Sequence, residues 1–478
     1  MAVPVARGPR AGMSREPFPH AVSSIVIFLL PFILVIPAPT RVMAKLGQFL
    51  RDLRTTIVSK GLWYWAGWVI SIAIALWAGP RIEHSDLLMG PRFRFSDLID
   101  RLSPRPVKAH STALVEIRDA EFWGPVLHSA RPISRGYIAR LVYSVAFYRP
   151  AVVVLDFDLS SPTPDSGPLD FKEYQPEDEQ LLRAIEDATR ICKLVLPLRL
   201  RCASAAPGAC DAGFVPVPTP FYQAGQGGMI TWGYLNLPDD VRSAPQLALV
   251  SDGRRLMTYP SLALAAARAR SNSISTPRGE DLPHISFIAP HDFDDRRFSS
   301  GQLLAAFDGK IHRAGIPPQY QDDAATPDQR RLFNSLNSQI VIIGASFHRE
   351  TRDGGPLEDS HLTPVGDLPG CEIHANYIEA MLDERAIPSL SHTALTGIEL
   401  TITVLLTLIL LAPASGLRKF VIVCLALLAL FVIAYFSSIA LGLFVEALLP
   451  AVLVAAHFLL HTIVDLYREA HHAKSEPV

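Results

Sequence analysis

The sequence predicts an α/β domain with a mainly parallel sheet, joined to α-helical transmembrane segments, one before the domain and three after it. Two observations support this fold class. Between residues 80 and 391, apolar runs alternate with segments that repeat apolar residues at helical spacing, which is typical of parallel sheets covered by helices. Outside that block, four apolar runs approach the roughly 20 residues that a helix needs to cross a bilayer.

The predicted strands are short apolar or β-branched runs, because strands of a parallel sheet are buried on both faces. They lie at residues 112–117, 151–155, 192–198, 285–289 and 340–344. Segments with apolar residues three or four positions apart are predicted to be helices. These lie at residues 134–147, 177–190, 261–270, 302–307 and 373–382.

Three segments between these elements have a different character. Residues 231–259 predict a β-meander with a turn at Ser251-Asp252-Gly253. Residues 161–175 and 315–329 are polar, contain Pro and exceed the usual length of a connection. We therefore predict that these two are functional or mobile loops.

Composition excludes several classes of protein. Lys plus Arg total 44 and Asp plus Glu total 46, so the formal net charge of the 478 residues is −2. Phosphate contacts require a basic excess, so we expect no nucleic-acid partner. A hydrophobic content of 49% excludes wholesale disorder, and five Cys in so long a chain exclude a small disulfide scaffold.

The positions of Lys and Arg predict how the chain is threaded through the membrane. Basic clusters precede the first predicted span, separate the second from the third and follow the last, and such clusters favour the cytoplasmic side. The large domain is therefore expected to be extracytoplasmic, in the inner membrane of a bacterium. The predicted segments are an N-terminal cytoplasmic part (1–61), a span (62–79), the outer domain (80–391), three spans (394–412, 419–437 and 443–463) and a cytoplasmic tail (464–478).

The most N-terminal apolar run, within residues 24–37, has three interpretations. Its uninterrupted length suits the apolar core of a cleaved signal peptide, and basic residues precede it. It could equally be an additional span. The third interpretation is an upstream extension before a true start at Met43, which opens a short basic segment leading to the first span.

Two carboxylates stand at the end of a predicted buried strand. Asp156 and Asp158 follow residues 151–155, and α/β sheets place their sites at the carboxyl ends of parallel strands. Residues two apart on a strand point to the same face, so this pair could bind a cation, share a proton or contact a ligand. The structural alternative is that Asp158 caps the following turn and Asp156 bonds neighbouring backbone.

A second polar cluster follows the predicted strand at 340–344. It contains Ser346, His348, Asp353, Asp359, His361, Glu372 and His374, and side chains of these types can bind a ligand or a metal ion. Of these, we predict His348, Asp353, Glu372 and His374 as ligand-binding residues. No C-x-x-C or H-E-x-x-H spacing is present, so we predict no metal site. The alternative is a loop whose polar residues cap the next helix.

Cys202 and Cys210 flank a short loop. In an oxidising compartment a disulfide that closes this loop is plausible. The chain contains no P-loop, G-x-S-x-G or G-x-G-x-x-G motif, so the common nucleotide-dependent and acyl-transfer enzymes lack their signatures. We expect neither enzymatic activity nor a cofactor.

Several segments together are similar to one family, the second type of CHASE domain, a sensor named for its association with cyclases and histidine kinases. The resemblance covers about residues 81–391, and its strongest match is SQIVIIGAS at 338–346. Each motif is weak alone, but their order and spacing are specific. The other matching segments are residues 133–140, PAVVVLDFDLS (150–160), GYLNLPDD (233–240), SDGRR (251–255), Asp353, Thr363-Pro364 and PGCEIHANYIEAML (369–382).

The resemblance implies an extracytoplasmic ligand-sensing domain. Relatives usually pass the signal to a cytoplasmic cyclase, histidine kinase or Ser/Thr kinase domain, whereas only residues 464–478 follow the last predicted span. We therefore expect a sensor that signals through a separate effector or partner membrane protein. The other expected partners are the lipid bilayer, an extracytoplasmic ligand of unknown identity and a second copy of the chain in a homodimer.

Two further functions stay open from the sequence. The outer domain could dock a partner protein as part of a structural or assembly complex. Less favoured is an outward-facing enzyme that uses Asp156, Asp158 or the cluster from His348 to His374.

Overall fold

A computed structural model describes the chain in segments, which form two compact units. One unit comprises Met1–Ile72 and Val404–Ile422, and the other Ala73–Thr403 and Val423–Val478. Of the first unit, only residues 416–422, the beginning of one helix, are described. The described residues are 90–91, 93–98, 108–160, 176–202, 214–222, 228–238, 241–245, 247–251, 256–274, 285–311, 327–350, 356–383, 385, 397, 401 and 416–437.

In the described residues, strands and helices alternate along much of the chain, apart from six strands that follow one another between residues 193 and 260. The strands are β1 (Thr112–Ile117), β2 (Val152–Leu155), β3 (Lys193–Leu198), β4 (Leu200–Cys202), β5 (Phe214–Pro216), β6 (Ile230–Tyr234), β7 (Leu247–Ser251), β8 (Leu256–Pro260), β9 (Arg297–Ser299), β10 (Ile340–Ala345), β11 (Ser360–Thr363) and β12 (Gly366–Pro369). The helices are α1 (Asp119–Phe122), α2 (Arg135–Phe147), α3 (Pro176–Ala188), α4 (Leu262–Arg270), α5 (Ser300–Ile311), α6 (Pro327–Leu336), α7 (Gly370–Leu382) and α8 (Gly416–Phe436), with a 3-10 helix at Pro290–Arg296.

The centre of the domain is a parallel sheet of six strands in the order β6–β3–β2–β10–β1–β9. All of its neighbouring strands run parallel. β10, the last of them in the chain, is inserted between β1 and β2. This late insertion places the ends of β2 and β10 side by side, which matters for the site described below.

Helices cover both faces of this sheet and give the domain two apolar cores. Helices α2, α3, α5 and α6 pack on one face, and α4 and α7 on the other. Strand β2 shows why its sequence is continuously apolar: Val153 and Leu155 belong to the first core, and Val152 and Val154 to the second. This alternation is the period-two geometry of a strand buried on both faces.

Serine side chains define where two of these helices begin. Ser134 Oγ accepts a hydrogen bond from Tyr137 N at the start of α2, and Ser261 Oγ accepts one from Leu264 N at the start of α4. Both are N-caps, which satisfy a backbone N–H that has no partner within the helix. The predicted helices at 134–147 and 261–270 thus include their capping residues.

The β-meander prediction for residues 231–259 is partly wrong. β6 joins the parallel sheet beside β3, with Leu194 opposite Ile230. β7 and β8 do form an antiparallel pair, but in a second sheet of order β4–β5–β7–β8. The antiparallel β11 and β12 form a separate hairpin.

The strand predicted at residues 285–289 is wrong. Ile285, Phe287 and Ile288 are buried in the second core, which explains the apolar sequence. Their segment is not a strand, because its backbone bonds elsewhere: Ile285 N donates to Arg242 O, and Ile288 N to the Asn376 side chain. The short edge strand β9 and the polar helix α6 were not predicted.

The segments predicted to be transmembrane helices fall almost wholly outside the described residues. This holds for 62–79 and 443–463, and for 394–412 apart from Gly397 and Thr401. The run at 419–437 corresponds to α8, in which Leu430 and Ala434 pack with Phe95. In the described part of the chain, no helix combines the length and apolar character needed to cross a membrane.

Candidate functional site

The sheet has a crevice where β2 and β10 lie next to each other. After β2 the chain passes to α3 on one face, and after β10 it passes through the β11–β12 hairpin to α7 on the other. Adjacent strands whose connections leave to opposite faces form a topological switch point, which is where open α/β sheets bind ligands.

A cavity of about 510 Å³ lies at this crevice. Its walls come from segments that follow four parallel strands: Asp156 to Leu159 after β2, Arg199 after β3, Leu235 to Leu237 after β6, and Phe347 after β10. The start of α2 and the segment around β11 complete it. The volume lies within the range of about 300–1,000 Å³ typical of small-molecule sites.

Asp156 and His374 form a buried polar pair in the wall of the cavity. Asp156 Oδ1 lies 3.7 Å from His374 Nε2, and the two side chains are 9% and 2% exposed. Burial raises the pKa of Asp156 to about 8, with a further contribution from the charge of Asp359. Burial lowers the pKa of His374 to about 4. The pair is therefore not a salt bridge near neutral pH: a protonated acid faces a neutral imidazole.

Asp359 is the ionised carboxylate of the same wall. His361 Nε2 lies 3.0 Å from Asp359 Oδ1, and this hydrogen bond lowers the pKa of Asp359 despite its burial. Asp359 also lies against the start of α7, where a Cβ on Gly370 would overlap its Oδ2. A larger residue at 370 would therefore displace the Asp359 carboxylate from this position.

Three arginines line the cavity, and each is paired with a carboxylate. Arg199 Nη1 lies 2.6 Å from Asp158 Oδ2, and Arg131 Nη2 lies 2.8 Å from Glu358 Oε2. The third is Arg135, whose Nε lies 3.1 Å from Asp178 Oδ1. Charged pairs next to apolar side chains and a neutral Asp–His pair suit a small polar organic molecule.

Asp158 has a different role from Asp156, although both line the cavity. Its Oδ1 accepts hydrogen bonds from the backbone and hydroxyl of Ser160, and its Oδ2 pairs with Arg199. Burial opposes ionisation of Asp158, but these bonds outweigh it and lower the pKa. The structural alternative, a cap on the following turn, therefore describes Asp158.

Of the second predicted cluster, Asp359, His361 and His374 line the cavity. His348 pairs with Asp119, with Nδ1 2.6 Å from Oδ2. Glu372 faces the other side of α7 and pairs with Arg297. Asp353 lies outside the described residues. The structure thus divides one sequence cluster among three environments.

Glu372 belongs to a buried network of charges beside the cavity. Arg297 on β9 binds Glu372 and lies 3.5 Å from Glu116, which is also bound by Arg118 at 3.0 Å. Burial raises the pKa of Glu372 to about 7, although Arg297 opposes this shift. The network joins β1, β9 and α7 at the same end of the sheet as the cavity.

Sequence reasoning missed the arginines and the segment after β6 that complete the cavity. Arg135 lies in the matching segment 133–140, and Leu235 to Leu237 lie in GYLNLPDD. The motifs that carry the family resemblance were therefore the available signal. Because these motifs are far apart along the chain, the sequence alone does not show that they meet at one edge of the sheet.

Cys202, at the end of β4, is disulfide-bonded. Its predicted partner, Cys210, lies outside the described residues, so that pairing stays a prediction. Cys192, Cys371 and Cys424 are free.

Of three comparisons with known proteins, one gives a match. No curated protein and no solved structure matches the chain. The family model of the CHASE2 domain matches residues 68–414, which is more than half of the chain and includes the parallel sheet, both cores and the cavity. The chain therefore belongs to the CHASE2 domain family of extracytoplasmic sensory domains.

Proposed function

We propose that the chain is a membrane-anchored sensor that binds a small polar molecule in the cavity at the switch point. The observation that carries this proposal is the placement of the neutral Asp156–His374 pair in the wall of a 510 Å³ cavity. A protonated carboxyl and a neutral imidazole offer a ligand one hydrogen-bond donor and one acceptor without a net charge.

The helix α7 is the element that would report occupancy of the cavity. His374 is on its second turn, and the helix packs on β1 and β10. A ligand changes such an arrangement only if it binds two conformations with different affinity. We propose that binding shifts α7 and the segments that follow it.

The membrane anchor rests on the apolar runs of the sequence, at 62–79, 394–412, 419–437 and 443–463. The placement of basic residues favours an outer domain and a cytoplasmic tail. That a separate membrane protein or effector receives the signal stays a prediction from the sequence. A reporter fused after Val478 should be active only in the cytoplasm, and activity only outside would overturn this orientation.

Ligand binding is tested by thermal denaturation of the full chain in detergent with a panel of small polar metabolites. We expect at least one compound to raise the melting temperature in a concentration-dependent manner, because ligands that bind only the folded state stabilise it. The Asp156→Asn variant should lose at least about tenfold in affinity, roughly the free energy of one hydrogen bond in a buried site.

Asp367→Asn is the matched control, because Asp367 is an exposed carboxylate on β12 outside the cavity. It should respond to the same compound as the unmodified chain does. A compound that stabilises Asp156→Asn equally well does not bind at the proposed site. If crosslinking in membranes instead captures a stoichiometric partner of the outer domain and no compound acts, a docking function is favoured.

A further inference from the structure

A cluster of one imidazole and two carboxylates lies at the opposite end of the sheet from the cavity. His110 precedes β1, whereas Glu379 is on the last turns of α7 and Asp383 follows that helix. One ligand atom from each of the three side chains lies within 4.8 Å of the other two. The imidazole of His110 lies between the carboxylates, with Nδ1 3.4 Å from Glu379 Oε2 and Nε2 3.1 Å from Asp383 Oδ1.

Glu379 supplies the observation that distinguishes this cluster from a surface group of charges. Its side chain is fully buried. Oε1 accepts hydrogen bonds from the backbone N–H groups of His110, Ser111 and Thr112 and from the Thr112 hydroxyl, at 2.7–3.0 Å. Oε2 is buried and accepts no hydrogen bond from any described residue, and the His110 ring nitrogen Nδ1 lies 3.4 Å from it. A buried carboxylate oxygen without a donor is costly unless something positive occupies its open side.

We infer that His110, Glu379 and Asp383 form a binding site for a divalent transition-metal ion, with zinc as the best-suited ion. Imidazole nitrogen and carboxylate oxygen are both ordinary zinc ligands, and the cluster contains no thiolate that would favour copper(I). Ligand atoms about 2 Å from a tetrahedral zinc ion lie roughly 3.3 Å apart. One atom from each of the three side chains lies within 4.8 Å of the other two, so the ligands must draw closer around an ion. The 59% exposed side chain of His110 can turn to bring one ring nitrogen towards both carboxylates.

The rigid part of the site is already in place. Glu379 is fixed by the donors to Oε1, so Oε2 is presented without rotation of the side chain. Asp383 is held by Arg385, whose Nε lies 3.0 Å from Oδ2. The exposed side of His110 leaves room for water as a fourth ligand, as in other zinc sites with three protein ligands.

Because of where this site lies, a bound metal ion would also have a structural effect. His110 is where the chain enters the sheet and Asp383 is where it leaves α7, so an ion would tie these two ends together. Helix α7 has 13 residues and is about 20 Å long, with His374 near its cavity end and Glu379 near its metal end. This inference does not depend on the proposed function, because it concerns a different site.

Metal binding is tested on the purified full chain in detergent, after treatment with EDTA and removal of the chelator. Zinc chloride is added, with magnesium chloride as the comparison, and binding is followed by calorimetry, metal content after dialysis and melting temperature. We expect one zinc ion per chain with a raised melting temperature, and no comparable effect of magnesium, which prefers oxygen ligands.

The variants His110→Ala and Asp383→Asn should each weaken zinc binding at least about tenfold, in line with the removal of a first-sphere ligand. Both leave the hydrogen bonds to Glu379 Oε1 intact, so in EDTA both variants should remain folded and their zinc binding can be compared with that of the unmodified chain. The matched control is His291→Ala, since exposed His291 lies 3.5 Å from one carboxylate, Asp292, and this pair is not part of a described metal-binding group.

Zinc binding that is unchanged by His110→Ala and Asp383→Asn would place the ion elsewhere and overturn the inference. Absence of stoichiometric zinc in the unmodified chain would also overturn it. Loss of cavity-ligand binding in Asp156→Asn with retained zinc binding would show that the two sites are separate, so failure of one proposal is distinguishable from failure of the other.

Discussion

Asp156 at the end of β2 faces His374 on α7 across 3.7 Å in the interior of the domain. The two residues are more than 200 positions apart in the chain and meet because β10 is inserted beside β2 and is followed by α7. Burial moves their pKa values in opposite directions, to about 8 and about 4. Between these two pKa values both side chains are neutral. The stability of the folded chain should therefore depend on pH in a predictable way.

The first prediction is that the folded chain loses stability as pH rises from 7 to 8. The pKa of Asp156 is about 8 in the folded state and 3.8 for an unperturbed Asp, so in this interval the folded state retains a proton that the unfolded state has lost. Stability then falls by up to about 1.4 kcal/mol per pH unit. Melting temperature against pH measures it, and Asp156→Asn should flatten the curve between pH 7 and 8.

Two neighbouring groups change protonation below pH 7, so their contributions to stability can be separated from that of Asp156. His374, with a pKa lowered from 6.5 to about 4, adds stability as pH rises from 4 to 6.5. Glu372, with a pKa raised from 4.5 to about 7, removes stability between 4.5 and 7. The control Glu372→Gln should therefore change the curve below pH 7 and leave the decline above it. A decline that persists in Asp156→Asn would contradict the assignment.

The sequence predicted the elements that depend on local pattern. β1 begins and ends at Thr112 and Ile117, as its short β-branched and apolar sequence predicts. It could not predict that residues 285–289 lack a partner strand, since a buried extended segment has the same composition as a strand. Helix α6 was hidden because its sequence, PDQRRLFNSL, is mostly polar and buries only one side, including Leu332 and Leu336.

The candidate site was also predictable only in part, because local sequence pattern does not show the order of the strands. The rule that sites follow parallel strands identified Asp156, and it needed no knowledge of strand order. Arg135 and Arg199 reach the cavity only because of that order, which no local pattern encodes. Glu372 and His374 are two residues apart on α7 and so diverge to different environments, because side chains at i and i+2 of a helix do not share a face.

The second prediction concerns the anchor between α7 and the start of β1. Glu379→Ala would leave the backbone N–H groups of residues 110–112 without their acceptor. The Thr112 donors are buried and those of His110 and Ser111 are partly buried. Since a buried donor that loses its partner costs about 1–3 kcal/mol, we expect a loss of about 3 kcal/mol in the free energy of unfolding. Denaturant titration in EDTA measures it. Asp383→Asn is the control and should change stability little; equal losses in both variants would contradict the role of Glu379.

The third prediction concerns the close approach of β10 and α7. A Cβ at residue 344 would overlap the Cβ of Cys371 and lie 3.5 Å from the Cβ of Asp156. Gly344→Ala should therefore displace α7 and destabilise the fold by about 1–3 kcal/mol, the usual cost of overpacking. At Gly90 an added Cβ meets nothing within 4 Å, so Gly90→Ala is the control. Equal melting temperatures for the two variants would show that α7 does not pack this closely on β10.

The fourth prediction tests the buried network around Arg297, which lies 3.5 Å from Glu116 and also binds Glu372. Arg297→Met removes the cation and leaves both carboxylates buried, so we expect a loss of about 3–5 kcal/mol at pH 7.5. Adding Glu372→Gln should recover part of that loss, because it replaces a carboxyl that must otherwise stay buried as an anion or take up a proton. Arg331→Met is the control, because its ion pair with exposed Asp295 spans 3.6 Å and such pairs contribute about 1 kcal/mol at most. Chemical denaturation compares the variants, and a double variant no more stable than Arg297→Met would mean that Glu372 is already protonated in Arg297→Met.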